Sequence, residues 1–332
     1  MIKVGIIGAG FMGKTHGKVY NQLKNTELVG IADLSSDIGK QYAEDYRCSY
    51  YQNINELISR EDIDIIDICL PTFLHEKYVI EAANEGKNIL LEKPFTLTKE
   101  SADRIYETVN KAGVKFMVGQ VLRFWPEYVK IKDCYEQGDL GKMRMIYANR
   151  LAQMPNWSEW FQDESKSGGG LFDLHLHDID YVIHLLGAVE EVYAVGQQST
   201  SGWNHIISSL TFSNGVRACI EGSNKMTTNY PFTMNFRGTG DKGTIEFKFE
   251  AGFNLENRDS AQNSLVFYQE SKSPRLLTVE KQDAYYNEIK YFADCVDNNW
   301  PIEVITLKES KYVLDVVLAI KKSLETGKVV KL

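Results

Sequence analysis

Residues 2–13, IKVGIIGAGFMG, constrain the chain more than any other stretch. Ile2, Val4, Ile6 and Ile7 form an apolar run long enough for a strand buried on both faces. Gly8, Gly10 and Gly13 follow on the G-x-G-x-x-G spacing, and the residues beyond them read as a helix. The first glycine permits a tight turn out of the strand. The second lets a pyrophosphate approach the backbone, and the third lets helix and strand pack closely. Gly8, Gly10, Phe11, Met12 and Gly13 are therefore candidates to hold a dinucleotide, its phosphates on the free N–H groups where the helix begins. Asp33 lies twenty positions beyond Gly13, after the apolar run Leu28–Ala32, where an acid accepts hydrogen bonds from both hydroxyls of an adenosine ribose. The same residues would also fit an ordinary strand–turn–helix with a surface aspartate.

Length favours two domains, since the chain has 332 residues. A hydrophobic share of 43% supports a sizeable core, and a formal charge of −8 argues against nucleic-acid or acidic-membrane partners. Cys48, Cys69, Cys134, Cys219 and Cys295 are odd in number and contain no C-x-x-C pair, which fits a reducing compartment. No apolar run reaches the roughly 20 residues of a membrane helix, and the fold begins at Ile2 with no signal peptide before it. The expectation is a cytoplasmic protein.

Strand-like and helix-like segments alternate through the first third. Strands are expected at Ile2–Ile7, Leu28–Ala32, Ser49–Gln52, Ile63–Leu70, Asn88–Leu91 and Lys115–Val118, with helices between them. This alternation predicts an α/β, doubly wound parallel sheet with its ligand at the carboxyl ends of the strands. The residues at those ends are Gly8 to Gly13, Asp33, Pro71 and Thr72, Glu92 to Pro94, and Gln120. From Lys142 onward β-rich segments predominate, several alternating apolar with polar, as an antiparallel sheet covered on one face requires. Asn214-Gly215 marks a hairpin. One helix, Leu171–Leu186, interrupts the strands, and two more close the chain near Ala284–Val296 and Leu307–Leu324. The boundary is placed near Arg123, giving domains 1–122 and 123–332.

The helix after Gly168-Gly169-Gly170 reads LFDLHLHDIDYVIHLLG. Asp173 and His177 are four apart and share a helical face, where a carboxylate can orient an imidazole and raise its basicity for use as a general base. A solvated polar face with a helix-stabilising pair is the alternative. Metal ligation is disfavoured: His175 and His177 point away from each other on a helix, and Ile179 and Asp180 stand where a hydrolase metal motif needs Asp and His. His175 is a packing or substrate-lining residue. Lys93, at a strand end, either bridges cofactor and substrate or is a solvated surface lysine.

With these residues in place, the chain resembles the Gfo/Idh/MocA family of glucose–fructose oxidoreductase and inositol-dehydrogenase-like enzymes over nearly its whole length. The likeness lies in VGIIGAGFMGKTH, in Pro71-Thr72 with His75, in GKNILLEKPFTLT around Lys93, in Arg123-Phe124-Trp125-Pro126, in GGGLFDLHLHDID and in the closing KKSLETGKVVKL. The resemblance implies a Rossmann domain followed by an α/β domain with a large open, mainly antiparallel sheet, through which members associate as homodimers or homotetramers. It implies an NAD(P)-dependent dehydrogenase acting on a secondary hydroxyl of a sugar, cyclitol or related polyol. Lys93, Asp173 and His177 match the catalytic set: His177 takes the hydroxyl proton, Asp173 orients it, and Lys93 holds the reacting oxygen. Pro71, Thr72, His75, Glu92 and Gln120 match positions lining the dinucleotide, with Arg123 beside them. Where the family pattern usually has Gly, this chain has His175. Asp33 favours NAD over NADP because its charge repels a 2′-phosphate, and Leu34, Ser35 and Ser36 follow with no arginine. Trp157 and Trp160 precede the triple glycine and are candidates to stack on a sugar ring, with packing as the alternative. An NAD-dependent glycoside hydrolase of the same fold and a non-catalytic dinucleotide-binding regulator are the competing functions.

Overall fold

The computed structural model describes residues 1–154, 159–252 and 261–332. In chain order the first elements are β1 (Ile2–Ile7), α1 (Phe11–Tyr20), β2 (Thr26–Ala32), α2 (Ser36–Tyr46), β3 (Ser49–Tyr51), α3 (Ile54–Ile58), β4 (Ile65–Ile68), α4 (His75–Asn84), β5 (Asn88–Leu91), α5 (Lys99–Ala112) and β6 (Phe116–Val118). Next come α6 (Pro126–Glu136), β7 (Met143–Leu151), α7 (Glu164–Ser167), a π-helical turn (Leu171–His175) and α8 (Leu176–Leu186). The strands β8 (Val189–Ser199), β9 (Gly202–Phe212), β10 (Arg217–Ser223), β11 (Phe232–Gly240), β12 (Thr244–Ala251), β13 (Gln262–Tyr268) and β14 (Arg275–Leu276) follow. The last elements are α9 (Ala284–Asp297), α10 (Leu307–Thr326) and β15 (Val330–Lys331). By packing, the chain divides into two compact units: residues 1–124 with 282–314, and residues 125–281 with 315–332.

In the first unit six parallel strands run in the order β3-β2-β1-β4-β5-β6. The order reverses between β1 and β4, and such a switch point opens a crevice beyond the carboxyl ends of the strands. β1 and β4 are covered on both faces, which is why they carry Val4, Ile6, Ile7, Ile65, Ile66 and Ile68 in near-continuous apolar runs, all fully buried. Each such side chain contributes about 1.5–3 kcal/mol when removed from water. Asp67 is the exception inside this run: it too is fully buried. Helix α5 starts on the Thr98 side chain, which accepts the Ser101 N–H, and stops at the left-handed Gly113. Helix α9 lies against α1.

The second unit is built on a nine-stranded sheet, ordered β14-β13-β12-β11-β7-β10-β9-β8-β15. All neighbours are antiparallel except β7 and β10. One face is apolar and buried, carrying Ile146, Ala148, Ile206, Leu210 and Ile220, and α8 packs on it. The other face leaves Met145, Tyr193, Val195 and Ile207 exposed. Asn214-Gly215 forms the β9–β10 hairpin with Gly215 at φ +83°, as its sequence predicts. The helix expected at Leu171–Leu186 is not uniformly α: its first five residues form the π turn. Gly168 and Gly169 lead into it with positive φ, and the backbone of 201–203 packs so near Gly169 that a Cβ would meet it.

Candidate active site

The glycine loop closes as its spacing requires. Gly8 has φ +102°, and a Cβ on it would collide with the carbonyl of Cys69, while one on Gly13 would collide with the carbonyl of Gly8. Gly10 caps α1 without any side-chain hydrogen bond, so the first N–H groups of the helix have no side-chain partner at the cap. Asp33 stands after β2 and ties the loop down: Oδ2 accepts the Ala9 N–H at 2.7 Å and Oδ1 accepts the Ser35 N–H at 2.7 Å. A carboxylate has about four lone-pair sites, so this bracing leaves acceptor capacity for a ribose. The cradle, the uncapped helix end and the acid together fit a dinucleotide.

The other strand ends supply a polar cluster that is mostly buried. Thr72 and Gln120 are buried, and Gln120 Oε1 has no hydrogen-bond partner. His75 is enclosed, its Nδ1 2.9 Å from the Pro94 carbonyl and its Nε2 2.9 Å from the Leu70 carbonyl. Burial pushes its pKa down against the pull of those carbonyls. It therefore braces the loop carrying Lys93 and Pro94, which follow β5. Glu92 Oε2 accepts the Lys93 backbone N–H at 3.0 Å. Arg123 is equally enclosed: its Nη1 donates to the Val304 carbonyl at 2.6 Å and lies 3.3 Å from Glu309 Oε1.

Behind Glu92 sits a group that the pattern of motifs does not single out. His16, on α1, has Nδ1 2.8 Å from Asp67 Oδ2 and Nε2 3.1 Å from Glu92 Oε1. Burial works against a charge on His16, but the Asp67 charge and hydrogen bond, with Cys69 adding to them, hold its pKa well above the ordinary histidine value. Burial likewise pushes the Glu92 carboxyl up, but contact with His16 and the charges of His16 and Lys93 leave it below the usual range. Glu288 on α9 completes the cluster. Burial first, then the charge of Glu92, raise its pKa far above the carboxylate range despite a hydrogen bond from the Gln120 backbone. Three signals were available in the sequence: a histidine three residues past Gly13, an aspartate inside an apolar strand, and the i, i+4 stripe Ala284, Glu288, Phe292. His16, Asp67 and Cys69 also offer ligand atoms within 4.8 Å of one another, but the His16–Asp67 separation is that of a charge-assisted hydrogen bond.

In the second unit, Asp173 lies in the π turn and His177 in the first turn of α8, both half-buried. π turns are rare and recur at functional sites. Their neighbours point elsewhere. His175 is fully buried, with Nε2 2.8 Å from Ser208 Oγ on β9 and the ring against Gly222 of β10, and burial lowers its pKa to about 3. Asp178 forms a buried two-pronged pair with Arg150 on β7, at 2.9 and 3.3 Å. Trp160 is half-buried edge-on to Phe161, and Trp157 lies outside the described residues.

Residues 2–120 match an oxidoreductase family with an NAD-binding Rossmann fold, and residues 128–246 match the GFO/IDH/MocA C-terminal domain. Myo-inositol 2-dehydrogenase from Thermotoga maritima is 27% identical over 344 aligned positions, covering 100% of this chain and 98% of that one. A 2,7-anhydro-N-acetylneuraminate hydratase from Mediterraneibacter gnavus is 32% identical over 195 positions, 58% of this chain and 51% of that protein. The crystal structure of an aldose-aldose oxidoreductase from Caulobacter crescentus superposes with a TM-score of 0.87 at 20% identity, covering 100% of this chain and 99% of its own, a likeness of fold. Among the described residues no helix is long and apolar enough to cross a membrane.

Proposed function

Because the chain belongs to the Gfo/Idh/MocA oxidoreductase family, we propose that it is an NAD-preferring dehydrogenase acting on a secondary hydroxyl of a sugar, cyclitol or related polyol. The observation that carries this reading is the uncapped start of α1, closed by Gly8 and Gly13 and braced by Asp33. Gly10, Phe11, Met12 and Gly13 would hold the pyrophosphate, and Asp33 the adenosine ribose. Its negative charge, followed by Leu34, Ser35 and Ser36, disfavours a 2′-phosphate. Bound nicotinamide supplies the hydride acceptor. His177 takes the proton of the reacting hydroxyl, Asp173 orients the imidazole, and Lys93 donates a hydrogen bond to the same oxygen and favours its charged form. Pro71, Thr72 and Gln120 line the dinucleotide, while His75 and Glu92 fix the loop that carries Lys93. His175 acts by packing against β9 and β10, Arg123 by its contacts to Val304 and Glu309, and Trp160 is a candidate to meet the substrate. The protein works in the cytoplasm, consistent with five unpaired cysteines. The open face bearing Met145, Tyr193, Val195 and Ile207 pairs with a second copy.

A second reading has one observation in its favour, the hydratase relative. Water addition is redox-neutral, and the same residues would then serve a cycle in which the hydride returns to the substrate. Incubation with NAD and a panel of polyols and sugars separates the two. A dehydrogenase accumulates NADH in step with oxidised product. Redox-neutral turnover consumes substrate with no NADH, and a panel giving neither overturns both.

A further inference from the structure

We infer that His16 is a positioning residue: clamped between Asp67 and Glu92, it fixes the Glu92 carboxylate against the backbone of Lys93 and so sets where the Lys93 ammonium stands. The inference rests on the reading that Lys93 is catalytic.

Three observations carry it. First, the contacts form an unbroken line from α1 through β4 to the end of β5. His16 Nδ1 is 2.8 Å from Asp67 Oδ2, His16 Nε2 is 3.1 Å from Glu92 Oε1, and Glu92 Oε2 accepts the Lys93 N–H at 3.0 Å. Second, this line has little freedom. The His16 and Asp67 side chains are 0% exposed and that of Glu92 is 8% exposed. An added Cβ on Gly119 would already stand 3.5 Å from Glu92 Oε1. Third, the chemistry admits one protonation pattern. A neutral imidazole has one N–H and one lone pair, so one of two flanking carboxylates would face a lone pair in a buried site. An imidazolium donates to Asp67 through Nδ1 and sets its charge 3.1 Å from Glu92 Oε1. The remaining groups facing the ring agree with a cation there. Cys69 Sγ is 3.5 Å from Nδ1, the Tyr285 ring lies 6.2 Å away, and burial pushes the Glu288 carboxyl up, towards its uncharged form. Removing the cation would leave Asp67 and Glu92 facing each other across a cavity, and Glu92 would relax by protonation or by turning toward Lys93.

The test uses the full chain. In wild-type protein labelled with 15N-histidine, NMR should show one of the six histidines still doubly protonated above the pH at which ordinary histidines have lost that proton, and that signal should vanish in His16→Gln. His16→Gln and Glu92→Gln should each lower kcat by about tenfold or more while NAD affinity stays within about threefold, and the double variant should lose no more than the worse single one. The limb of the pH–rate profile that Lys93→Ala abolishes should move by about one unit in His16→Gln. A structural role alone would lower stability or NAD affinity and leave that limb in place. If Lys93→Ala turns over normally, the reading of Lys93 fails. If Lys93→Ala is inactive but His16→Gln keeps the wild-type kcat and pH limb, the positioning role alone is overturned. Should His16→Gln fail to fold, Glu92→Gln and the wild-type spectrum decide: no histidine titrating above the ordinary histidine range contradicts the imidazolium.

Discussion

Two of the fully buried histidines of this chain, one in each unit, differ in charge. His16 faces Asp67 and Glu92 and is held as a cation. His175 faces Ser208 and a glycine and is held neutral, with a pKa near 3. Burial is equal in the two places, so burial does not set the charge; the acceptors around the ring do. Two carboxylates repay the desolvation of an imidazolium, and a single hydroxyl does not. The cation therefore organises a strand end, whereas the neutral ring fills space between a π turn and two strands.

The pH dependence of stability divides these two residues most sharply. For His175 the folded pKa lies below the unfolded value near 6.5, so the unfolded chain binds the proton more tightly, and stability falls as pH drops from about 6.5 towards 3, by up to about 1.4 kcal/mol per pH unit. For His16 the folded pKa lies above the unfolded one, so its contribution is complete below about pH 6.5 and is lost as pH rises through the folded value. Urea unfolding from about pH 4 to 9 checks this: relative to wild type, His175→Gln should flatten the acid side and His16→Gln the alkaline side. If both variants flatten the same side, the contrast is wrong.

A smaller effect is expected at Glu288, which sharpens the comparison because burial pushes it towards its uncharged form among charges. A carboxyl protonated only in the folded state costs stability increasingly as pH rises above about 4.3. Glu288→Gln keeps the shape without the proton and should gain stability over wild type as pH rises towards neutrality, with the gain fading near pH 4. A loss at pH 7 would mean the native acid is ionised. The smallest effect concerns Asp33, whose charge is spent on the loop and, in our reading, on the ribose. Asp33→Ser should shift the NAD-to-NADP preference by about tenfold towards NADP, about 1.4 kcal/mol. Competitive binding of the two dinucleotides reads it out, and an unchanged ratio would confine Asp33 to bracing Ala9 and Ser35.

Local chemistry explains what was legible in the sequence. The buried strands announce themselves by apolar runs, and the glycine loop by a spacing that only close backbone contacts require, as the collisions at Gly8 and Gly13 bear out. The open second sheet was readable from its alternation, down to the Asn214-Gly215 turn. The π turn was not, because the residues of Leu171–His175 have the same apolar spacing whether the backbone bonds to i−4 or i−5. His175 drew notice through its neighbour His177, yet the structure seats it against β9 and β10. His16 drew none, because its partners Asp67 and Glu92 lie 51 and 76 residues away (67 − 16 and 92 − 16) and meet it only through sheet order. Charge in a core is a property of pairs that are distant in sequence, and a single motif carries half of the information.

The central claim is that Lys93 and His177 serve one hydride-transfer reaction. It is tested by measuring NAD affinity and kcat together for wild type, Lys93→Ala and His177→Ala, on a polyol that yields NADH. Both variants should bind NAD within about threefold of wild type and turn over about a hundredfold more slowly or worse. Either variant turning over at the wild-type rate would contradict the account.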